Sequence, residues 1–207
     1  GVRRIDTVII SHGDNDHSGG AKALLDQFPV DRFLTSSPEV LEHPAREICR
    51  DGMNWQWNGV EFRIIHPDAS DRFTGNNRSC VLVVRSAGQA VLLSGDIEAV
   101  AEQRILDNHT DVLHATVLVA SHHGSRTSST PEFIHAVAPD YVLFPVGYRN
   151  RFGFPKQDII RRYQATGARV MTTAQEGAIR FEKNGDGFTV MSYRQENRRF
   201  WHTRADD

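Results

Sequence analysis

At 207 residues, with 39% hydrophobic and 24% charged side chains, the chain has the size and composition of one globular domain or a large part of a bigger one. A formal net charge of −2 excludes a uniformly basic nucleic-acid binder but leaves room for a local basic face. No run approaches the roughly eighteen consecutive apolar residues of a membrane helix. Gly1-Val2-Arg3-Arg4 opens without signal peptide or initiator Met, so the chain is expected to be a portion of a longer protein.

Val8-Ile9-Ile10 predicts a buried strand ending at Ser11-His12, followed by a polar turn and Gly19-Gly20. Residues 21–28 have helical spacing, with Leu24, Leu25 and Phe28 on one side, and residues 31–35 read as a short strand. The stretch 38–51 shows no clear period and could hold a short helix within a long connection. Trp55 and Trp57 alternate as in a strand and are read as packing residues. Residues 60–65, 81–85 and 91–93 follow as strands, then a helix over 98–106 and a fully apolar strand over 115–120.

A helix over 131–137, a strand over 141–146 and a helix over 158–165 come next, and strands over 168–171, 178–182 and 189–193 finish the pattern. Strands alternating with helices predict a layered α/β architecture in a single unit, without internal repeat or low-complexity linker. Cys49 and Cys80 match no zinc-ribbon or disulfide spacing and are read as small buried side chains.

Three strand ends carry the chemistry. His12, Asp14, Asn15, Asp16 and His17 crowd one strand-to-helix turn, which packing does not explain. Metal ligands do, because neighbouring residues of a turn can face adjacent ions. A bland alternative is an Asp/Asn turn that caps the next helix and leaves its histidines on the surface. Leu92-Leu93-Ser94-Gly95-Asp96 delivers a carboxylate at an apolar strand tip, and Val119-Ala120-Ser121-His122-His123 delivers two imidazoles. As alternatives, Asp96 could be a plain helix cap, and one of the histidines could serve only to orient others. In α/β sheets functional groups gather at one end of the strands, so these tips are expected to share a site.

The turn Ser11-His12-Gly13-Asp14-Asn15-Asp16-His17-Ser18-Gly19-Gly20 resembles the signature turn of the metallo-β-lactamase superfamily, His-x-His-x-Asp-His, with Asp14 where the middle His is commonest. Ser94-Gly95-Asp96 resembles the metal-bridging Asp of that superfamily, and His122-His123-Gly124-Ser125 its late His. The Asp14 variant looks like the ComEC-type competence-protein branch. So do Asn76-Asn77-Arg78-Ser79, Arg126-Thr127-Ser128-Ser129 after the His pair, Asn150-Arg151-Phe152-Gly153, and Gly177-Ala178-Ile179. The likeness runs from about residue 4 to residue 190. Two features depart from it. The Asp-Val-Gly-Gln-Gly-Asp-like stretch of the branch's β-rich start is not found, so the chain reads as the later portion of an αββα sandwich. The branch's usual His-Pro after the Asn-Arg-Tyr-Gly turn is here Phe154-Pro155.

The resemblance implies two divalent ions, Zn²⁺ or Mn²⁺. Asp16 and His17 would hold one of them with a histidine of the 122–123 pair. Aligning Ser121-His122 with the usual Gly-His favours His122 as that ligand with His123 orienting it, and the reverse stays open. His12 and Asp14 would hold the other ion, and Asp96 would bridge. Asn76 or Asn77 would supply an oxygen or bind a water where the superfamily has its remaining His. Asp16 and His123 are the catalytic candidates. Ser125, Arg126, Thr127, Ser128, Asn150 and Arg151 are candidate phosphate or DNA contacts, each with a solvated surface loop as the equal alternative. Arg149 belongs with that loop. The tail bearing Arg194, Arg198, Arg199 and Arg204 with Phe200 and Trp201 could bind nucleic acid, although such runs are more often solvated ends.

Three functions are weighed. The first is a nuclease that degrades the non-transported strand during DNA uptake, acting on single- or double-stranded DNA beside a membrane channel of the same polypeptide. The domain would then sit on the periplasmic or extracellular side of the inner membrane. The second is a metallo-hydrolase of a lactone, phosphorylcholine ester or small phosphodiester. The third is a non-catalytic module that guides DNA. Metal-dependent cleavage of DNA, indifference to DNA, and binding without cleavage separate them.

Overall fold

The first three strands, β1 (Ile5–Ile10), β2 (Val30–Thr35) and β3 (Arg46–Ile48), run parallel side by side. Parallel neighbours need a crossover, and β1 reaches β2 through the one-turn helix α1 (Asn15–Ser18) and the helix α2 (Ala21–Gln27). A second, seven-stranded sheet contains β4 (Asn54–Trp57), β5 (Val60–His66), β6 (Val81–Ser86), β7 (Gln89–Leu93), β8 (Val117–Val119), β9 (Tyr141–Phe144) and β10 (Arg169–Thr172), each paired with the next. Its β4–β7 half is antiparallel and its β7–β10 half parallel. A hairpin of β11 (Ile179–Asn184) and β12 (Gly187–Ser192) follows. This is a computed structural model, and it describes residues 1–39, 41–70, 72–185 and 187–197.

Strand alternation explains why the large sheet is covered on both faces. On β5 and β6, Ile65, Val81 and Val83 enter one core with Leu92, Leu118, Val142 and Phe144. The helices α3 (Ala99–His109), α4 (Pro131–Val137) and α5 (Gln157–Ala165) close that core with Ile105, Phe133, Val137, Ile159 and Tyr163. The intervening residues Ile64 and Leu82 enter a second core with Leu34 of β2, flanked by Ile9, Trp55, Phe62 and Val84. The large sheet therefore packs helices on one face and the small sheet on the other, the αββα arrangement that the sequence resembles. Each fully buried Leu, Ile or Phe contributes about 1.5–3 kcal/mol to this packing.

Several expectations change. Among the described residues of the stretch 38–51 there is no helix; its regular part is the edge strand β3, whose charged residues hide any apolar period. Glu47 pairs with Arg32 on β2, and Arg46 donates to the carbonyls of Pro38 and Leu41. Trp55 packs as expected, stacked on Phe62 at 5.2 Å, but Trp57 is 49% exposed. Cys49 and Cys80 are buried, yet they are a disulfide rather than two free thiols. The bridge joins the end of β3 to the start of β6, with Cα atoms 5.8 Å apart across 31 residues of sequence. Closing a loop of that length stabilises the fold by about 3–4 kcal/mol.

Topology brings the functional ends together. Strands β1, β7 and β8 finish, and β6 begins, at one edge of the sandwich. There the Cys80 N–H donates to the Ser11 carbonyl at 2.8 Å and the His122 N–H to the Gly95 carbonyl at 3.1 Å. The loop after β8 is anchored from below by the buried Glu102 carboxylate, which accepts from the Ser129 and Thr130 backbone N–H groups at 2.6 and 2.8 Å. Burial raises the Glu102 pKa, while those two hydrogen bonds pull it back.

Candidate metal centre

The turn after β1 holds two imidazoles through one hydroxyl. Ser11 Oγ lies 3.1 Å from both His12 Nδ1 and His17 Nδ1, and the rings are 4.3 Å apart. The single helical turn α1 sets His17 beside His12, and Ser18 Oγ locks that turn by donating to the Gly13 and Asp14 carbonyls. His12 is fully buried, and its Nε2 has no hydrogen-bond partner. Burial, followed by the nearby His17, lowers the His12 pKa, so its lone pair is kept available.

The tip of β7 supplies the carboxylate. Gly95 adopts a φ of +57°, and a Cβ there would lie 2.7 Å from the Ser79 Cβ, so the close approach needs glycine. Ser79 Oγ accepts from the Asp96 N–H at 3.0 Å and lies 3.3 Å from His12 Nδ1, which ties two strand ends together. Asp96 is 4% exposed, with Oδ1 3.1 Å from His17 Nε2. Burial pulls its pKa upward, but the His123 and His17 imidazoles prevail and hold the carboxyl well below the usual carboxylate range.

The two histidines after β8 are not equivalent. Both take left-handed backbone, φ 47° at His122 and 53° at His123, which turns adjacent side chains to different places. Gly124 (φ +84°) completes the turn where a Cβ would strike Pro155 and Phe144 at 2.6 and 2.7 Å. His123 Nδ1 lies 2.9 Å from the Pro145 carbonyl, an obligate acceptor, so Nδ1 carries the proton. Its Nε2 then faces His17 Nε2 at 3.2 Å, Asp16 Oδ2 at 3.3 Å and Asp96 Oδ2 at 3.4 Å. The Asp96 hydrogen bond raises the His123 pKa against the opposing effect of burial. His122 instead turns its Nδ1 to Thr127 Oγ1 at 3.1 Å and Glu98 Oε1 at 3.4 Å, and its Nε2 to Asn76 Nδ2 at 3.4 Å.

Ligand atoms of Asp16, His17, Asp96 and His123 thus lie within 4.8 Å of one another. The set fits a divalent ion: two imidazoles and two carboxylates converge, and one imidazole has its tautomer fixed by a backbone carbonyl. The buried, unpartnered His12 Nε2, 3.8 Å from Asp14 Oδ2, is a further donor of the same kind beside it. In this geometry His123 joins the group, and His122 flanks it with its Nε2 4.0 Å from Asp96 Oδ2.

The other candidates divide by their partners. Asn76 faces His122, whereas Asn77 points away, donating to Glu98 Oε2 and accepting from the Glu98 N–H. Ser125 and Ser128 are buried and hold their own loop: Ser125 Oγ bonds Thr127, and Ser128 Oγ donates to the Ser121 and Ser125 carbonyls. Both are turned inward because the left-handed histidines need a braced turn. Arg126 is exposed and paired with Asp158. Thr127 reaches His122. Asn150 spends its amide across its own loop, donating to the Phe154 carbonyl at 2.7 Å and accepting from the Phe154 N–H at 2.9 Å. Arg151 lies over the exposed Phe152 ring, and Arg149 over Tyr148. Phe154 stands edge-on to His122 with centroids 5.9 Å apart. Arg194 donates to the Ala174 carbonyl; Arg198, Arg199, Phe200, Trp201 and Arg204 lie outside the described residues. Ser11 and Ser79 lie within the quoted motifs but were given no role from the sequence, and Glu98 was not singled out at all; its only signal is adjacency to Asp96.

The model of the metallo-β-lactamase superfamily matches residues 1–147. The chain is 36% identical over 181 residues to competence protein ComA of Neisseria gonorrhoeae, covering 87% of this chain and 26% of that protein. It is 32% identical over 194 residues to ComE operon protein 3 of Bacillus subtilis, covering 87% of this chain and 25% of that protein. The chain therefore spans about a quarter of the length of these relatives. Among solved structures, CmlA, a diiron β-hydroxylase from Streptomyces venezuelae, superimposes with a TM-score of 0.52 at 14% identity, covering 82% of this chain and 44% of that chain. At that identity the likeness concerns the fold alone.

Proposed function

The chain belongs to the metallo-β-lactamase superfamily, and from that premise we propose that it is the metal-dependent phosphodiester-cleaving part of a DNA-uptake protein. The observation that carries the reading is the convergence of Asp16, His17, Asp96 and His123 at one edge of the sandwich, with the unpartnered His12 Nε2 beside them. Likeness to competence proteins over most of this chain supplies the DNA context.

In this reading Asp16, His17 and His123 would hold one ion, His12 and Asp14 would hold a second, and Asp96 would serve both. Divalent ions there, Zn²⁺ or Mn²⁺, would acidify the attacking water and screen the phosphodiester charge. The oxygen-rich His12–Asp14 end suits the harder Mn²⁺ as well as Zn²⁺. The protein supplies orientation. The Pro145 carbonyl fixes the His123 tautomer, and the Ser11 hydroxyl aligns His12 with His17. Glu98 and Thr127 hold His122 Nδ1, which turns its Nε2 toward Asn76 and Asp96 at the side of the centre.

The Cys49–Cys80 disulfide supports a placement on an oxidising side of the membrane, periplasmic or extracellular, because such bonds rarely persist in a reducing cytosol. No helix among the described residues is long and apolar enough to cross a membrane, so the channel would be contributed by other parts of the polypeptide.

The test is cleavage of single-stranded DNA by the purified chain supplemented with Mn²⁺ or Zn²⁺. The expected result is conversion to short products that chelator stops and Asp16→Ala abolishes. Binding without cleavage would favour a DNA-guiding module. Cleavage of a lactone with indifference to DNA would favour a small-molecule hydrolase. Either result contradicts the proposal.

A further inference from the structure

Large exposed aromatic rings are uncommon on a soluble surface, because each leaves apolar area in water. Two of them stand on the loop after β9: Tyr148 is 53% exposed and Phe152 is 57% exposed. Basic side chains alternate with them. Arg149 lies over the Tyr148 ring at 5.2 Å, Arg151 over Phe152 at 4.8 Å, and Lys156 over Phe154 at 5.1 Å.

The rings also form a path. Phe152 stacks on Phe154 with centroids 5.7 Å apart and planes 18° from parallel, and Phe154 meets His122 at 5.9 Å. A row of aromatic rings, stacked at the surface and edge-on at His122, thus runs from the loop to the side of the metal centre. The loop is braced for this display. Asn150 clamps it through both atoms of its amide, and Lys156 Nζ donates to the Phe152 carbonyl at 2.6 Å. A braced loop loses little conformational freedom when it binds a ligand.

Aromatic rings interleaved with arginines meet the two chemistries of an unpaired nucleic-acid strand, flat bases and a phosphate backbone. We propose that the Tyr148–Lys156 loop is a base-stacking surface that receives unpaired nucleobases and leads the adjoining phosphodiester to the metal centre. The proposal rests on the phosphodiesterase reading above and deepens it by naming the substrate as single-stranded. A duplex keeps its bases stacked on one another and offers none to the rings. Arg149 and Arg151 carry no ion pair among the described residues, in contrast to Arg126, which is held by Asp158, so both are available to phosphate.

The experiment measures the affinity of the metal-loaded chain for short, cleavage-resistant phosphorothioate strands by fluorescence anisotropy. Three probes are compared: oligothymidylate, an abasic strand of equal length and charge, and a duplex. Oligothymidylate is expected to bind roughly ten- to hundredfold more tightly than the abasic strand. The Tyr148→Ala/Phe152→Ala double variant should collapse that difference, and Phe152→Trp should keep it. Because both side chains are exposed, the variants are expected to fold, and unchanged far-UV circular dichroism and melting temperature verify it.

Equal binding of oligothymidylate and the abasic strand by the unaltered chain would overturn the proposal. So would a double variant that keeps the preference, or tighter binding of the duplex. Cleavage of a bis-aryl phosphodiester, which carries no base, reports on the metal centre separately. Its failure counts against the phosphodiesterase reading, whereas a missing base preference with that cleavage intact counts against the stacking surface alone.

Discussion

Around Asp16, His17, Asp96 and His123, four protein ligand atoms converge within 4.8 Å, and the Pro145 carbonyl and Ser11 hydroxyl fix the imidazoles from behind. At the other end His12 Nε2 and Asp14 Oδ2 stand 3.8 Å apart, and the neighbouring turn brings Ser79 Oγ within 3.3 Å of His12 Nδ1. The first end has four protein donors, enough for a tetrahedral ion; a second ion in the proposed centre would have to share Asp96 and take oxygens from water or substrate. Unequal donor sets imply unequal affinities, so the two ends are expected to fill in sequence rather than together. A weakly held second ion that is completed by substrate oxygens would couple assembly of the centre to substrate binding.

Asp96→Ala should have the largest effect, because in the proposed two-ion centre it would remove the one group that both ends use and with it their shared negative charge. Elemental analysis should find at least one site emptied and DNA cleavage lost; an unchanged metal content would contradict the bridging role. Removing the disulfide comes next. The Cys49→Ser/Cys80→Ser variant should lose about 3–4 kcal/mol of stability, read from denaturation curves. Because Cys80 adjoins Ser79, which contacts both His12 and the Asp96 N–H, the loss should also weaken metal binding, and unchanged metal affinity would show that the bridge does not brace the centre.

Phe154→His restores the His-Pro of the resembling branch beside His122. A hydrogen-bonding imidazole there should raise cleavage of a bis-aryl phosphodiester about a hundredfold, the low end of general-acid effects, without altering metal content. If kcat stays flat while the melting temperature falls, Phe154 is a packing residue of its aromatic row. Asp14→His should have the smallest effect, about a tenfold gain in Zn²⁺ affinity at the second end, since imidazole suits zinc better than a carboxylate does. Calorimetric titration resolves that step, and a change confined to the first ion would show that the ends have been assigned the wrong way round.

Much of the centre was legible in the sequence because its donors sit at strand tips. The crowded His12–His17 turn has no packing explanation, and Asp96 ends an apolar strand. What the sequence left open has physical causes. Which of His122 and His123 faces the cluster is decided by two left-handed backbone torsions, and residue type and order do not encode them. Ser125 and Ser128 look like a phosphate-binding loop by composition, yet both are buried to brace that same turn. The Cys49–Cys80 pair left no trace in its spacing, because the bond joins two different sheets that meet only once the sandwich closes. Strand β3 escaped notice because an edge strand of charged residues has no apolar alternation to display. The layered fold was legible from the alternation of strands and helices.

The adjacent histidines give the most direct test of the account. Metal content of purified His123→Ala and His122→Ala, measured side by side by elemental analysis under identical loading, separates the ligand from its neighbour. The geometry predicts that His123→Ala loses an ion and His122→Ala keeps the content of the unaltered chain. Loss of metal from His122→Ala with retention in His123→Ala would contradict it.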